Sequence, residues 1–144
     1  MRKKALNKMQ VKLPAISANE SVCRAIVAAF SAQLNPNIEE IADIKCAVSE
    51  AVTNCIVHAY RDAVGEVRLC VKLCEGRLIQ IEIRDRGCGI ADVKQAREPL
   101  FTTDAENERS GMGFTVMESF CDAVRVQSRL GKGTTVILSK RLHR

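Results

Sequence analysis

The sequence predicts an α+β two-layer sandwich, a mixed but mostly antiparallel sheet with helices on one face. Three observations lead there. Residues 67–73 and 79–83 both alternate apolar and polar side chains and flank Glu75-Gly76, the pattern of an antiparallel hairpin with one buried face. A second pair, residues 124–128 and 134–138, flanks Gly131-Lys132-Gly133 in the same way. The helical periodicities lie mainly outside these pairs, which puts helices on one side of the sheet rather than between parallel strands.

The elements follow in order. Residues 9–14 alternate weakly through Met9, Val11 and Leu13 and predict a first strand. Ser17 or Asn19 can cap a helix that runs to about residue 34, with Val22, Ile26, Ala29 and Phe30 on one face. Asn35-Pro36-Asn37 breaks it. A long helix then spans 38–60, its apolar stripe formed by Ile41, Ile44, Val48, Ala51, Val52, Cys55 and Ala59. After the first hairpin, residues 86–109 are irregular apart from a short helix near 91–96, and a further helix covers 113–121.

Composition narrows the class. At 144 residues the chain fits one domain, 1–144, with no repeat, linker or low-complexity run. Hydrophobic residues make up 47% and charged residues 27%, which excludes disordered and fibrous classes. No apolar run is long enough to span a bilayer. The basic start at residues 1–8 is followed by no apolar region or small-residue cleavage site, so a cytoplasmic protein is expected. The seven cysteines are odd in number and form no Cys-x-x-Cys pair, which points to reduced thiols lying mostly in the core. Seven terminal cations (Arg2, Lys3, Lys4, Lys8, Lys140, Arg141, Arg144) turn a net +5 into −2 when set aside. With no Trp, one Tyr and four Phe there is no stacking platform for single strands, and no direct nucleic-acid role is expected.

Several residues stand out chemically. Glu50, Asn54 and His58 lie at i, i+4 and i+8 on the long helix, each rotated about 40° from the last. They form either a solvated polar face or a working one. In the second case the Asn carbonyl can ligate Mg²⁺ and the Glu can take a proton. Asp85-Arg86-Gly87-Cys88-Gly89 leaves an apolar strand. It is either an ordinary turn or one in which the acid accepts a hydrogen bond from an exocyclic amine, worth about 1.5–3 kcal/mol. Gly111-Met112-Gly113 opens a helix, where free N–H groups can face an anion. It lacks the third glycine of a dinucleotide-binding fingerprint, and Gly131-Lys132-Gly133-Thr134 is a hairpin turn and not a Walker A loop. Between these motifs, residues 99–109 form a loop long enough to be a lid, and Arg109 at its end suits a terminal phosphate.

In their order and spacing, Glu50-x-x-x-Asn54, Asp85-x-Gly87-x-Gly89 and Gly111-x-Gly113 resemble the GHKL ATPases, which include gyrase and histidine-kinase catalytic domains. Ser49–Asn54, Pro99–Thr103 and Glu108–Phe114 are closer still to the anti-sigma factor serine kinases of the sporulation type. The resemblance runs from about residue 9 to 142. It implies a Bergerat fold that binds ATP or ADP with Mg²⁺. On that likeness Asn54 holds Mg²⁺, Asp85 reads the adenine amine, and Gly87 and Gly89 shape the purine pocket. Thr102, Thr103, Glu108, Arg109, Ser110, Gly111, Met112 and Gly113 form the lid and phosphate end. Thr134 or Thr135 closes the adenine end, and Glu50 is the general base. It further implies a homodimer that binds a sporulation sigma factor and phosphorylates a serine of a STAS-type anti-anti-sigma protein. Glu20 and Arg24 are candidates for the partner surface, or simply an i,i+4 ion pair worth about 0.2–0.5 kcal/mol. Three other readings stand beside this one: an anti-sigma kinase of a general stress sigma factor, an ATP-gated sigma-binding module, and a detached histidine-kinase domain. The last lacks a well-placed acceptor, since His58 and His143 are the sole histidines.

Overall fold

The computed structural model describes residues 3–59, 65–90, 93–97 and 113–143, with side chains throughout except at 58, 59, 95 and 96. Strand β1 spans Ala5–Pro14, helix α1 Ala18–Ser31 and helix α2 Ile38–Asn54. Strands β2 (Glu66–Cys74) and β3 (Leu78–Asp85) follow, then helices α3 (Val93–Ala96) and α4 (Gly113–Phe120), and strands β4 (Ala123–Arg129) and β5 (Gly133–Arg141).

The sheet order is β1-β2-β3-β5-β4. All four pairings among the described residues are antiparallel, so the expected mixed sheet is antiparallel throughout this part of the chain. The two predicted hairpins are present, and β3 joins them by pairing with β5 from Leu78↔Arg141 to Asp85↔Thr134. That pairing sets the ends of β3 and β5 side by side at Asp85.

Period-2 alternation builds the core. Val67, Leu69, Val71 and Leu73 of β2 and Ile79, Ile81 and Ile83 of β3 are buried beneath the helices, with Val136 and Leu138 of β5. Residues such as Arg68, Lys72, Glu82 and Arg84 take the opposite face. Helix α2 seals the other side of the core with Ile44, Ala47, Val48, Ala51 and Val52.

Three local expectations are corrected. Strand β1 begins four residues earlier than expected, because Ala5, Asn7 and Lys8 pair with Cys74, Leu73 and Lys72 of β2, with a register irregularity between Ala5 and Asn7. In α1, Val22 and Ala29 are exposed, and the buried line is Cys23, Val27 and Ser31. Ile26 and Phe30 of the expected face still pack half-buried against the core beside that line, so the face is rotated and not replaced. Ser17 makes no side-chain cap, and Asn19 donates from Nδ2 to the Pro14 carbonyl at 2.9 Å instead.

Helix α2 starts from a capping box. The Asn37 side chain accepts from the Glu40 N–H at 2.7 Å, and Glu40 accepts from the Asn37 N–H at 3.0 Å. Its α-helical part ends at Asn54 and continues as a π-helical turn over Cys55–Ala59, rather than as one α-helix to residue 60. None of the seven cysteines is in a disulfide; Cys23, Cys55 and Cys74 are buried, while Cys46 and Cys88 are exposed. No described helix is long and apolar enough to cross a membrane.

Candidate functional site

The site has two ends that meet at the C-terminal turn of α2. One end is built around Asp85, the last residue of β3, which is buried. Its Oδ1 accepts from the Gly87 N–H at 2.9 Å and from the Thr134 N–H at 3.2 Å. Its Oδ2 accepts from the Cys55 thiol at 3.6 Å. Burial pushes the Asp85 carboxyl above its ordinary range, opposed by the hydrogen bonds from Gly87, Cys55 and Thr134. Burial, reinforced by Asp85, pushes the Cys55 thiol well up, so it remains a protonated donor.

Backbone contact holds this end together. Gly133 has φ +101°, and a Cβ there would lie 2.2 Å from the Asp85 carbonyl oxygen. Gly89 has φ +76°, and its Cβ would lie 2.2 Å from the Arg129 carbonyl oxygen. Only glycine fits either place. The Gly131 N–H donates to the Cys88 carbonyl at 2.7 Å, and the Ile90 N–H donates to Ser128 Oγ at 2.7 Å. Ser128 Oγ also lies 2.7 Å from Thr134 Oγ1. The Asp85–Ile90 turn is therefore clamped onto the β4–β5 hairpin. The result is a carboxylate fixed beside a clamped backbone turn, able to accept from a donor group on a ligand.

Thr134 sits beside Asp85, whereas Thr135 pairs with Arg84 and accepts from its Nε at 3.3 Å. Successive strand residues face opposite ways, so Thr135 points away from the Asp85 cluster.

The other end is built from α2 and α4. Glu50 and Asn54 are half-buried, one turn apart, and both reach the first residue of α4. A Cβ on Gly113 would lie 3.4 Å from Glu50 Oε2 and 3.5 Å from Asn54 Oδ1. A carboxylate and a carbonyl oxygen thus converge at a helix N-terminus, where a base and a hard-cation ligand can serve one anionic ligand. Among the described residues no group of three His, Cys, Asp or Glu converges. Thr102, Thr103, Glu108, Arg109, Ser110, Gly111, Met112 and the His58 side chain lie outside the described residues.

Arg24 donates from Nη1 to Glu20 Oε2 at 3.1 Å and to Ser49 Oγ at 3.3 Å. The i,i+4 ion pair is present, and it also ties α1 to the residue next to Glu50.

Sequence reasoning missed Cys55, Ser128 and the packing role of Gly133. Cys55 read as one more apolar stripe position, and Ser128 and Gly133 read as hairpin residues. The β3–β5 pairing brings Gly133 and Thr134 to Asp85 across about fifty residues, Ser128 joins through Thr134, and Cys55 arrives from the π-helical turn after α2.

Comparison with known proteins shows the family. Residues 13–140 match the family described as the histidine kinase-like ATPase domain. The chain is 54% identical over 138 residues to the anti-sigma F factor of Caldanaerobacter subterraneus subsp. tengcongensis, covering 96% of each. It is 51% identical to that of Clostridium acetobutylicum, covering 94% of each. The solved structure of the RsbU and RsbW domains of a Mycobacterium tuberculosis protein superposes with a TM-score of 0.70 at 22% identity, over 96% of this chain and 33% of that one. A blue-light activated histidine kinase domain from Erythrobacter litoralis does so with a TM-score of 0.57 at 21% identity, over 85% of this chain and 61% of that one. These two likenesses speak for the fold. The family match over most of the chain, with relatives about half identical over nearly their full length, shows that the chain belongs to the histidine kinase-like ATPase family, within its group of anti-sigma F factors.

Proposed function

We propose that this chain is an ATP-dependent protein serine kinase that also binds and inhibits a sporulation sigma factor. The observation that carries the reading is the division of labour at the end of α2. Asn54 reaches the N-terminus of α4 while its neighbour Cys55 reaches Asp85, so one helical turn addresses both ends of the site. The anti-sigma F relatives, at about half identity over nearly their full length, supply the biological setting.

On this reading Asp85 accepts a hydrogen bond from the adenine amine, and the clamped backbone of Gly87, Gly89 and Thr134 shapes the purine slot. The residues present suit Mg²⁺: Asn54 offers one hard carbonyl oxygen, the mode in which this ion is held by one or two protein oxygens together with phosphates. ATP with its metal would supply an activated γ-phosphoryl group. Arg109, Glu108, Ser110, Gly111, Met112, Thr102 and Thr103 are assigned to the phosphate end and its lid. Glu50 takes the proton from a serine hydroxyl of the partner as that oxygen bonds to phosphorus and the bond to the departing ADP oxygen breaks. The partner is an anti-anti-sigma protein of the STAS type, inactivated by the phosphate. The kinase acts as a homodimer, with Glu20 and Arg24 on the partner-facing side of α1.

The test is transfer from γ-labelled ATP with Mg²⁺ to the cognate antagonist. Wild type is expected to make acid-stable phosphoserine. Glu50→Ala is expected to keep ATP binding and lose about 10²–10⁴-fold in transfer rate. Undiminished transfer by the variant removes Glu50 from the mechanism. No transfer by wild type, with ATP still bound, leaves an ATP-gated sigma-binding module.

A further inference from the structure

Cys55 has no task in the mechanism above, yet its thiol is buried against the residue assigned to purine recognition. Asp85 has two oxygens in different situations. Oδ1 is occupied by two backbone N–H groups, from Gly87 and Thr134. Among the described residues, the partner of Oδ2 is the Cys55 thiol at 3.6 Å. Two donors on one oxygen fix its position but leave the carboxylate free to turn about that point. A third donor on the second oxygen fixes the plane.

We propose that Cys55 is a positioning residue for purine specificity, its thiol holding Asp85 Oδ2 in the plane where that oxygen receives the exocyclic amine of adenine. The inference rests on the proposed role of Asp85 and concerns how that residue is aimed.

The choice of donor matters. A thiol is a weak donor, and a carboxylate oxygen offers about two lone pairs, so Oδ2 keeps acceptor capacity for an incoming amine. Cys55 is also the first residue of the π-helical turn and the neighbour of Asn54. The orientation of Asp85 is thereby referenced to the same turn that addresses the phosphate end. The described groups facing this pair are few: Cys23 of α1 lies behind Cys55, and β5 presents the Thr134 backbone.

The experiment compares dissociation constants for ATP and for purine riboside triphosphate, which lacks the 6-amino group, in wild type, Cys55→Ala, Cys55→Ser and Asp85→Asn. Wild type is expected to prefer ATP. Cys55→Ala is expected to weaken ATP about tenfold while leaving purine riboside triphosphate unchanged, collapsing the preference. Cys55→Ser, which keeps a donor, is expected to restore most of it. If Cys55→Ala weakens both nucleotides equally, or neither, while Asp85→Asn abolishes the preference, Cys55 does not aim Asp85 and the inference falls alone. A preference that survives Asp85→Asn overturns the adenine reading of Asp85 and the inference with it. Should Cys55→Ala not fold, a Cys55→Ser variant that binds both nucleotides equally overturns the proposal by itself.

Discussion

Two carboxylates are buried among the described residues, Glu40 and Asp85, and their surroundings treat them in opposite ways. Glu40 stands in the first turn of α2. One oxygen accepts from the Asn37 N–H at 3.0 Å and the other from the His143 N–H at 2.7 Å. These bonds, led by Asn37, hold its carboxyl below the ordinary range despite burial. Asp85 has two backbone donors on one oxygen and, among the described residues, the Cys55 thiol on the other, and burial holds it above that range. A carboxylate satisfied on both oxygens ties the fold together. One satisfied on a single side costs stability when ionised and keeps an acceptor for a ligand. Glu40 ties the amide of His143 to α2, and Asp85 holds the turn at the end of β3.

The contrast can be broken most severely through the backbone. Gly133→Ala sets a methyl group on the Asp85 carbonyl at a positive φ. It is expected to cost about 3 kcal/mol or more in urea unfolding and to abolish ATP binding. Unchanged stability would mean that the β5 start does not lock Asp85.

Asp85→Asn tests the half-satisfied carboxylate itself. ATP affinity is expected to fall about 10–100-fold, read by calorimetry. The unliganded variant is expected to be more stable than wild type at neutral pH. The sign follows from the raised folded value: the folded state holds the proton more tightly than the unfolded state, so wild-type stability from this group falls as pH rises from 3.8 through that value. The advantage of the variant should therefore vanish in acid.

Glu40→Gln is the mirror image. It is expected to lose about 2 kcal/mol at neutral pH, because one of the two amide donors loses its acceptor, and to leave ATP affinity unchanged. The folded value here lies below 4.5, so its contribution is present above that pH and is lost as pH falls through the folded value. Chemical unfolding from pH 7 to pH 3 should show wild type and variant converging. A Glu40→Gln protein with weakened ATP binding would tie the two sites together.

The smallest effect on the fold is expected from Gly113→Ala. The added methyl group meets Glu50 Oε2 at 3.4 Å, close to ordinary contact, and φ there is not positive. Stability should stay within about 0.5 kcal/mol of wild type, since alanine also favours the helix start. Phosphate transfer is the sensitive readout, because the methyl group occupies the space on which Glu50 and Asn54 converge.

Much of this arrangement is legible along the chain. The two hairpins announce themselves because a half-buried strand must alternate, and the Glu50/Asn54 pair because a helix brings residues four apart to one side. The face of α1 is legible only in part, since Ile26 and Phe30 do pack against the core while the fully buried line runs through Cys23, Val27 and Ser31. The same holds for the role of Glu40, one half of which is a local capping box while the other half is the amide of His143 at the far end of the sequence.

By itself the sequence determined the type of each main element, the one-sided layering of helices on the sheet, and the chemical candidates Glu50, Asn54 and Asp85. These depend on local periodicity and short spacing, which the order of residues contains. The tertiary structure decided which groups serve those candidates. It brought Gly133 and Thr134 to Asp85 through the β3–β5 pairing, aimed Cys55 at the same carboxylate from a π-helical turn, and placed Gly113 between Glu50 and Asn54. Each of these contacts joins distant segments whose approach is set by strand register and helix packing, and no window of the sequence records that.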